Sequence, residues 1–197
     1  MSDSDEDVVY KDTADSADYK NKKKYRYEML IYVIVVILAV ILVPRYIAQR
    51  TVVDGESMMN TLNNGDNLIV EKISYKFSDP DRFDIVVFYP FGKKAKEYYI
   101  KRVIGLPGEH VCIKDSTIYI DGEVLEENYG KDLVRYAGIA ENGITLGEDE
   151  YFLMGDNRLE SFDSRYPEIG PVSKDKIAGR AVLRIYPFKQ FGSLTDK

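Results

Sequence analysis

Ser57 lies in the stretch GESMMNTL, Gly55–Leu62, after an acidic, glycine-bearing turn. A serine hydroxyl becomes a nucleophile only when a neighbouring base takes its proton. The chain has a single histidine, His110, inside the strand-like run EHVCIKD, with no aspartate placed to orient its second ring nitrogen. That pattern reads as a structural histidine. Lys101, in YYIKRVIGLPGE, is the other candidate base. A strand's two-residue period puts Tyr99, Lys101 and Val103 on one face and Ile100, Arg102 and Ile104 on the other. One face is expected to point inward, and each carries one cation. Arginine keeps its proton, so a buried Arg102 would need a partner or a route to water. Lysine can lose its proton. An unperturbed amine is neutral in fewer than about one molecule in a thousand at pH 7, but burial lowers its pKa by up to ~3–5. Spacing alone leaves two readings of Lys101, a surface cation reaching water or a buried neutral base.

The elements that would position these residues are mostly strands. NLIVEKI, DIVVFYP, EYYIKRVIGL, HVCIKDSTIYIDGEVL, EYFLMG and KIAGRAVLRIYPF are short β-type runs, separated by turn signals such as Pro107-Gly108. Asp121-Gly122 is the expected two-residue turn of a hairpin. No long amphipathic helix interrupts this half. The fold class expected is mainly β, a curled sheet or partly open barrel. Glu126–Glu150 is polar and glycine-bearing, an excursion between two core strands.

Ahead of the strands, the first eighteen residues carry seven acids and one lysine, and are expected to be disordered. A basic cluster, Lys20–Arg26, follows. Met29–Val43 then holds fifteen residues without a charge, a helix of roughly 22 Å against a hydrocarbon core of ~30 Å. Tyr25, Tyr27, Tyr46 and Ile47 extend it, with Arg26, Glu28 and Arg45 snorkelling. The basic cluster predicts a cytoplasmic amino terminus and an extracytoplasmic remainder. VPRYIAQR offers no small-x-small cleavage site, so the anchor is read as uncleaved. The expected organisation is a cytoplasmic tail over 1–28, a transmembrane anchor over 29–49 and a catalytic domain over 50–197, with an inserted subdomain at about 113–149.

Composition narrows the chemistry. A net charge of −6 gives no electrostatic case for a nucleic-acid partner. The single cysteine, Cys112, permits no intramolecular disulfide and reads as a small buried hydrophobe. With one histidine as well, no multi-histidine or cysteine-based metal site can be built, and neither cofactor nor metal is expected.

GESMMNTL, RFDIVVF, YYIKRVIGLPGE and MGDNRLESFDSR occur in this order behind an anchor. Together they resemble type I signal peptidases of the Gram-positive kind, membrane-anchored serine proteases that remove signal peptides from exported proteins. The resemblance runs from Arg50 to about Ile185. It implies that Ser57 is the nucleophile and Lys101 its general base. It further implies that the Ser161 hydroxyl orients the amine, and that Asp163 and Arg165 form a charged pair supporting the site wall. Asp156, Asn157 and Arg158 belong to the same stretch. The implied partners are the signal peptides of exported preproteins, cut after a small-x-small site, and membrane lipid, with room for the secretion machinery. Met58 and Met59 read equally well as core or as apolar surface near the bilayer.

The sequence departs from the family in two places. Asn60 replaces a proline that would stiffen the nucleophile turn, and YPEIGPV adds length before Gly170-Pro171-Val172. Gly55 stands where some members place a serine that donates to the oxyanion; Gram-positive members have glycine there. Two rivals are weighed. A self-cleaving repressor-type protease shares Ser–Lys chemistry but lacks an anchor. A non-catalytic anchored relative would assist surface-protein or pilus assembly, and the intact Ser57 and Lys101 argue against it.

Overall fold

The computed structural model describes residues 3–95, 97–130 and 132–195, with residues 3–22 described by backbone alone. It divides into two compact units, Met1–Arg45 and Tyr46–Lys197. The first is one helix, α1 (Asp3–Leu42), whose last turns widen into a π-helical segment, Val43–Ile47. Pro44, with no amide hydrogen to donate, lies in that wider turn. The helix takes in the acidic head that was expected to be disordered. Lys23–Ile47 is 25 residues long and none of it is buried by protein. Met29, Ile31, Val35, Leu38 and Ile41 are all exposed. A soluble core helix would bury such a face; this one needs a lipid cover.

The second unit is antiparallel β throughout. Its first four strands are β1 (Ala48–Val52), β2 (Asn67–Glu71), β3 (Ile85–Phe88) and β4 (Tyr99–Gly105). A smaller set follows: β5 (His110–Lys114), β6 (Thr117–Ile120), β7 (Glu123–Val124) and β8 (Ile144–Thr145). The chain then returns as β9 (Glu150–Met154), β10 (Val172–Ser173), the long β11 (Ile177–Tyr186) and β12 (Gly192–Ser193). The large sheet has the order β1-β2-β11-β3-β4-β9-β10, with β12 added to β11. Register shifts along β11, between Ile177 and Gly179, Ala181 and Leu183, and Arg184 and Tyr186, bend that strand and curl the sheet. The smaller sheet, β7-β6-β5-β8, spans His110 to Thr145, beginning three residues before the segment expected to be inserted. Asp121 (φ 52°) and Gly122 (φ 88°) make its hairpin turn, both in the left-handed region that a type I′ turn demands.

Six of the strand-like runs became strands, because their β-branched and aromatic residues fill both faces of the sheet. β1 was not anticipated. Its AQRTV is polar, and Ala48 and Gln49 read as the end of the anchor, but the edge of β2 pairs with it from Ala48↔Glu71 to Val52↔Asn67.

β4 departs from the expectation that only one of its faces points inward. Flanked by β3 and β9, it is covered on both sides. Tyr99 and Val103 join a core with Val86, Phe88 and Leu153, whereas Ile100 and Ile104 enter two other clusters. Both cations are therefore inside, Lys101 at 4% and Arg102 at 3% exposure. Arg102 has the partner its burial requires. Its Nε and Nη2 donate to the two oxygens of Asp156 at 2.9 and 2.7 Å, and Nη1 donates to the Phe83 carbonyl at 2.9 Å. Thr61 adds a hydroxyl to the same carboxylate at 2.5 Å.

The turn after β9 packs against the loop that bears Ser57. A Cβ on Gly155 would stand 2.4 Å from the Ser57 carbonyl oxygen and 2.2 Å from the Ser161 hydroxyl. Any side chain there forces backbone apart. Gly155→Ala is accordingly expected to destabilise the full chain in detergent by about 1–3 kcal/mol, read as a lower urea midpoint. Asp156→Ala strands a buried guanidinium and should cost about 3–5 kcal/mol in the same measurement. Arg102→Met combined with Asp156→Leu should recover most of that loss, since no charge is then left unpaired.

Candidate active site

Three segments converge on Ser57. The first is its own loop, a tight turn closed by hydrogen bonds from the Met59 amide to the Glu56 carbonyl (3.1 Å) and from the Thr61 and Leu62 amides to the Met58 carbonyl (3.0 and 2.8 Å). Gly55 enters that turn at φ 98°, a conformation suited to glycine, and its amide donates to Asn64 Oδ1 at 3.1 Å. Met58 is buried in the core at 2% exposure and Met59 is half-buried, so Met58 is packing rather than free apolar surface. Asn60 is exposed.

The second segment is β4. Lys101 Nζ donates to Ser57 Oγ at 2.7 Å and to the Ile100 carbonyl at 3.1 Å. Its third neighbour is the Tyr99 ring, 5.3 Å from the amine to the ring centroid. Burial pushes the Lys101 amine down, the Asp163 carboxylate draws it up, Arg165 pushes it down and Asp156 draws it up; the outcome is a pKa of about 8. About one molecule in ten is then neutral at pH 7. The folded state disfavours the protonated amine, so burial opposes folding by roughly 3 kcal/mol below about pH 8, and the penalty fades as pH rises toward 10.5.

The third segment is the turn after β9. Asn157 donates its amide to the Ser57 carbonyl (3.0 Å) and its side-chain nitrogen to the Glu56 carbonyl (3.1 Å). Asp163 accepts from Arg165 Nε and Nη2 at 2.8 and 2.9 Å, and from the Gly155 amide at 3.0 Å. Both side chains are at most 1% exposed. Arg165 also donates to the carbonyls of Arg158 (2.8 Å) and Ser161 (3.2 Å). The Ser161 hydroxyl is buried and makes no hydrogen bond among the described residues. The amine, the nucleophile and the charged pair are thus brought together, while the expected Ser161–amine hydrogen bond is not formed.

His110 lies on the smaller sheet, exposed, with Nδ1 3.0 Å from Thr145 Oγ1. Cys112, expected to be buried, is half-buried, its Sγ 3.9 Å from the Glu141 carbonyl. No cluster of three or more potential metal ligands occurs among the described residues. Sequence reasoning assigned nothing to Gly155, Thr61, Glu127 or Tyr129. A glycine next to Asp156 carries no sign of the backbone it will touch, and Tyr129 lies in a polar loop whose sequence does not announce the guanidinium it will cover.

A cavity of about 500 Å³ opens beside Ser57 and Lys101. Val53, Met58, Ile100 and Phe162 supply apolar wall; Asp54, Glu56, Glu97 and Glu160 bring carboxylates. β1, whose last residue Val52 reaches this cavity, ends the sheet path and pairs only with β2 among the described residues. An extended peptide could add to such an edge.

Residues 26–186 match the family described as "Signal peptidase, peptidase S26". The chain is 41% identical over 155 residues to a signal peptidase I of Leptolyngbya laminosa, an alignment covering 76% of this chain and 74% of that protein. With a signal peptidase I of Bacillus caldolyticus it shares 39% identity over 157 residues, covering 74% and 84% respectively. A crystal structure of a signal peptidase I from Enterococcus faecalis aligns over 52% of this chain and 97% of that one, at 35% identity and a TM-score of 0.43. On the family match over residues 26–186 and the two aligned relatives, the chain belongs to the signal peptidases of family S26.

Proposed function

We propose that this protein is a membrane-anchored endopeptidase that removes signal peptides from exported preproteins, with Ser57 and Lys101 as its catalytic dyad. The observation that carries the reading is the 2.7 Å contact between a buried amine and the serine hydroxyl. A Ser–Lys pair is a known variant of the serine-protease constellation.

In the reactive form Lys101 is neutral. Its nitrogen takes the Ser57 proton as Oγ attacks the scissile carbonyl carbon. The Ser57 backbone N–H is the donor we assign to the resulting oxyanion. Collapse breaks the C–N bond, the Lys101 ammonium protonates the leaving amine, and the acyl group remains as an ester on Ser57. Lys101 then deprotonates a water, which attacks the ester carbon. Release of the acid returns the proton from Lys101 to Ser57 Oγ. Ser161, whose buried hydroxyl makes no hydrogen bond among the described residues, is assigned to orient the amine during these transfers. Asp163 and Arg165 hold the wall, because each neutralises a charge that the other would leave buried.

The substrate lies extended against β1, its small residues before the cut entering the apolar part of the cavity. The apolar helix anchors the enzyme where such substrates emerge. The basic cluster ahead of it puts the amino terminus in the cytoplasm and the β unit outside.

Purified full-length protein in detergent should cut a preprotein after a small-x-small site, and both Ser57→Ala and Lys101→Ala should abolish cleavage while retaining the wild-type circular dichroism spectrum. Persisting cleavage in Lys101→Ala would exclude the dyad. A second outcome concerns pH. The active amine is the deprotonated one, so kcat/KM should climb about tenfold per unit below pH 8, bend near 8 and level off above 9. A profile that is flat between pH 6 and 9 contradicts this assignment.

A further inference from the structure

The polar segment between β7 and β8 does more than connect two strands. Glu127 meets Arg158 with both oxygens, Oε1 at 2.5 Å from Nη1 and Oε2 at 2.6 Å from Nη2. The pair is largely withdrawn from water, with the arginine side chain 2% exposed and the glutamate 12%. Two residues on, the Tyr129 ring lies over the Arg102 guanidinium, 3.7 Å from Cζ to the ring centroid. At Gly130 a Cβ would stand 3.2 Å from Arg158 Cζ, so the backbone lies close against that second cation.

Each arginine grips the turn after β9 from a different side. Arg158 Nε donates to the Gly155 carbonyl at 3.1 Å. Arg102 holds the Asp156 carboxylate through two nitrogens. The turn in its own right holds the nucleophile loop, through Asn157 to the carbonyls of Ser57 and Glu56. Only one arginine and one turn separate Glu127 from the Ser57 backbone. Without Glu127, Arg158 is a buried cation without a counter-ion and gains by turning toward water, which frees the Gly155 carbonyl. Without the Tyr129 ring, one face of the Arg102 guanidinium loses its cover. Neither change touches Ser57 or Lys101, yet a reacting group displaced by about 1 Å can lose on the order of 10²-fold in rate.

We propose that Glu127 and Tyr129 are positioning residues for the cleavage reaction: through Arg158 and Arg102 the inserted subdomain clamps the turn 155–157, and so holds Ser57 at the Lys101 amine. The inference rests on the dyad reading given above.

The test uses the full-length protein in detergent with a preprotein substrate, and measures kcat and KM separately alongside the urea midpoint. Glu127→Ala and Tyr129→Leu are expected to lower kcat at least tenfold per folded molecule, with KM within twofold of wild type and the chain still folded without urea. Glu127→Ala, which strands Arg158, should also lower the midpoint, by less than Asp156→Ala because Arg158 can turn toward water. Tyr129→Phe, which keeps the ring, should restore kcat to within threefold. Glu123→Ala, exposed on β7, should leave both constants unchanged. Wild-type kcat in both Glu127→Ala and Tyr129→Leu overturns the clamp; so does a loss of kcat matched by an equal loss of folded protein. If these two variants cleave normally while Ser57→Ala is dead, the clamp alone fails. If Ser57→Ala still cleaves, the dyad reading fails and takes the clamp with it.

Discussion

Keeping an amine dry beside a hydroxyl is the constraint around which this protein is arranged. In water Lys101 would hold its proton almost permanently and could take none from Ser57. On β4, walled by β3 and β9 and by the core residues behind them, it keeps that proton only weakly. The amine is left two good polar contacts, the Ser57 hydroxyl and the Ile100 carbonyl. Among the described residues it has no carboxylate in hydrogen-bond contact, and that matters for the proposed base: a direct counter-ion would hold the charge in place.

The same strand must bury a second cation one residue later, and it solves the opposite problem there. Arg102 cannot discharge, so it receives a full set of partners: two carboxylate oxygens, a carbonyl and an aromatic face. Arg165 is treated likewise by Asp163. These pairs follow from burial rather than adding stability of their own, since paired buried charges seldom outperform apolar replacements. Their contribution is directional. Bidentate contacts fix the turn 155–157 and the segment 161–165 in space, and the nucleophile loop is bonded to the first of these.

Such precision suits a substrate recognised mainly through its backbone. An extended peptide on a sheet edge is held by repetitive hydrogen bonds, which leave the exact position of the scissile carbonyl to the enzyme. In the proposed reading the segment between β7 and β8, remote in sequence from Ser57, supplies part of that control, and the apolar helix keeps the enzyme at the membrane. In that reading counter-ion pairing and tight backbone contact serve one geometric end within the β unit.

Local pattern was enough for much of this. Charge-free residues 29–43 announce a helix that water will not cover, β-branched runs announce strands, and Asp121-Gly122 announces its turn, because each depends on interactions within a few residues. The lysine was recognisable as a candidate base from its place on an apolar strand, though periodicity could not tell whether it faced water. That depended on distant segments: Ser57, 44 residues from Lys101, and Asp156, 54 residues from the Arg102 it pairs with. The same limit hid β1, a polar strand recruited by the edge of β2, and hid Gly155, whose missing side chain matters only because Ser57 and Ser161 pack against it. Residue type and spacing carry the chemistry a side chain can do. Dielectric, counter-ions and backbone proximity arise only when distant segments are packed together, and they settle whether it is done.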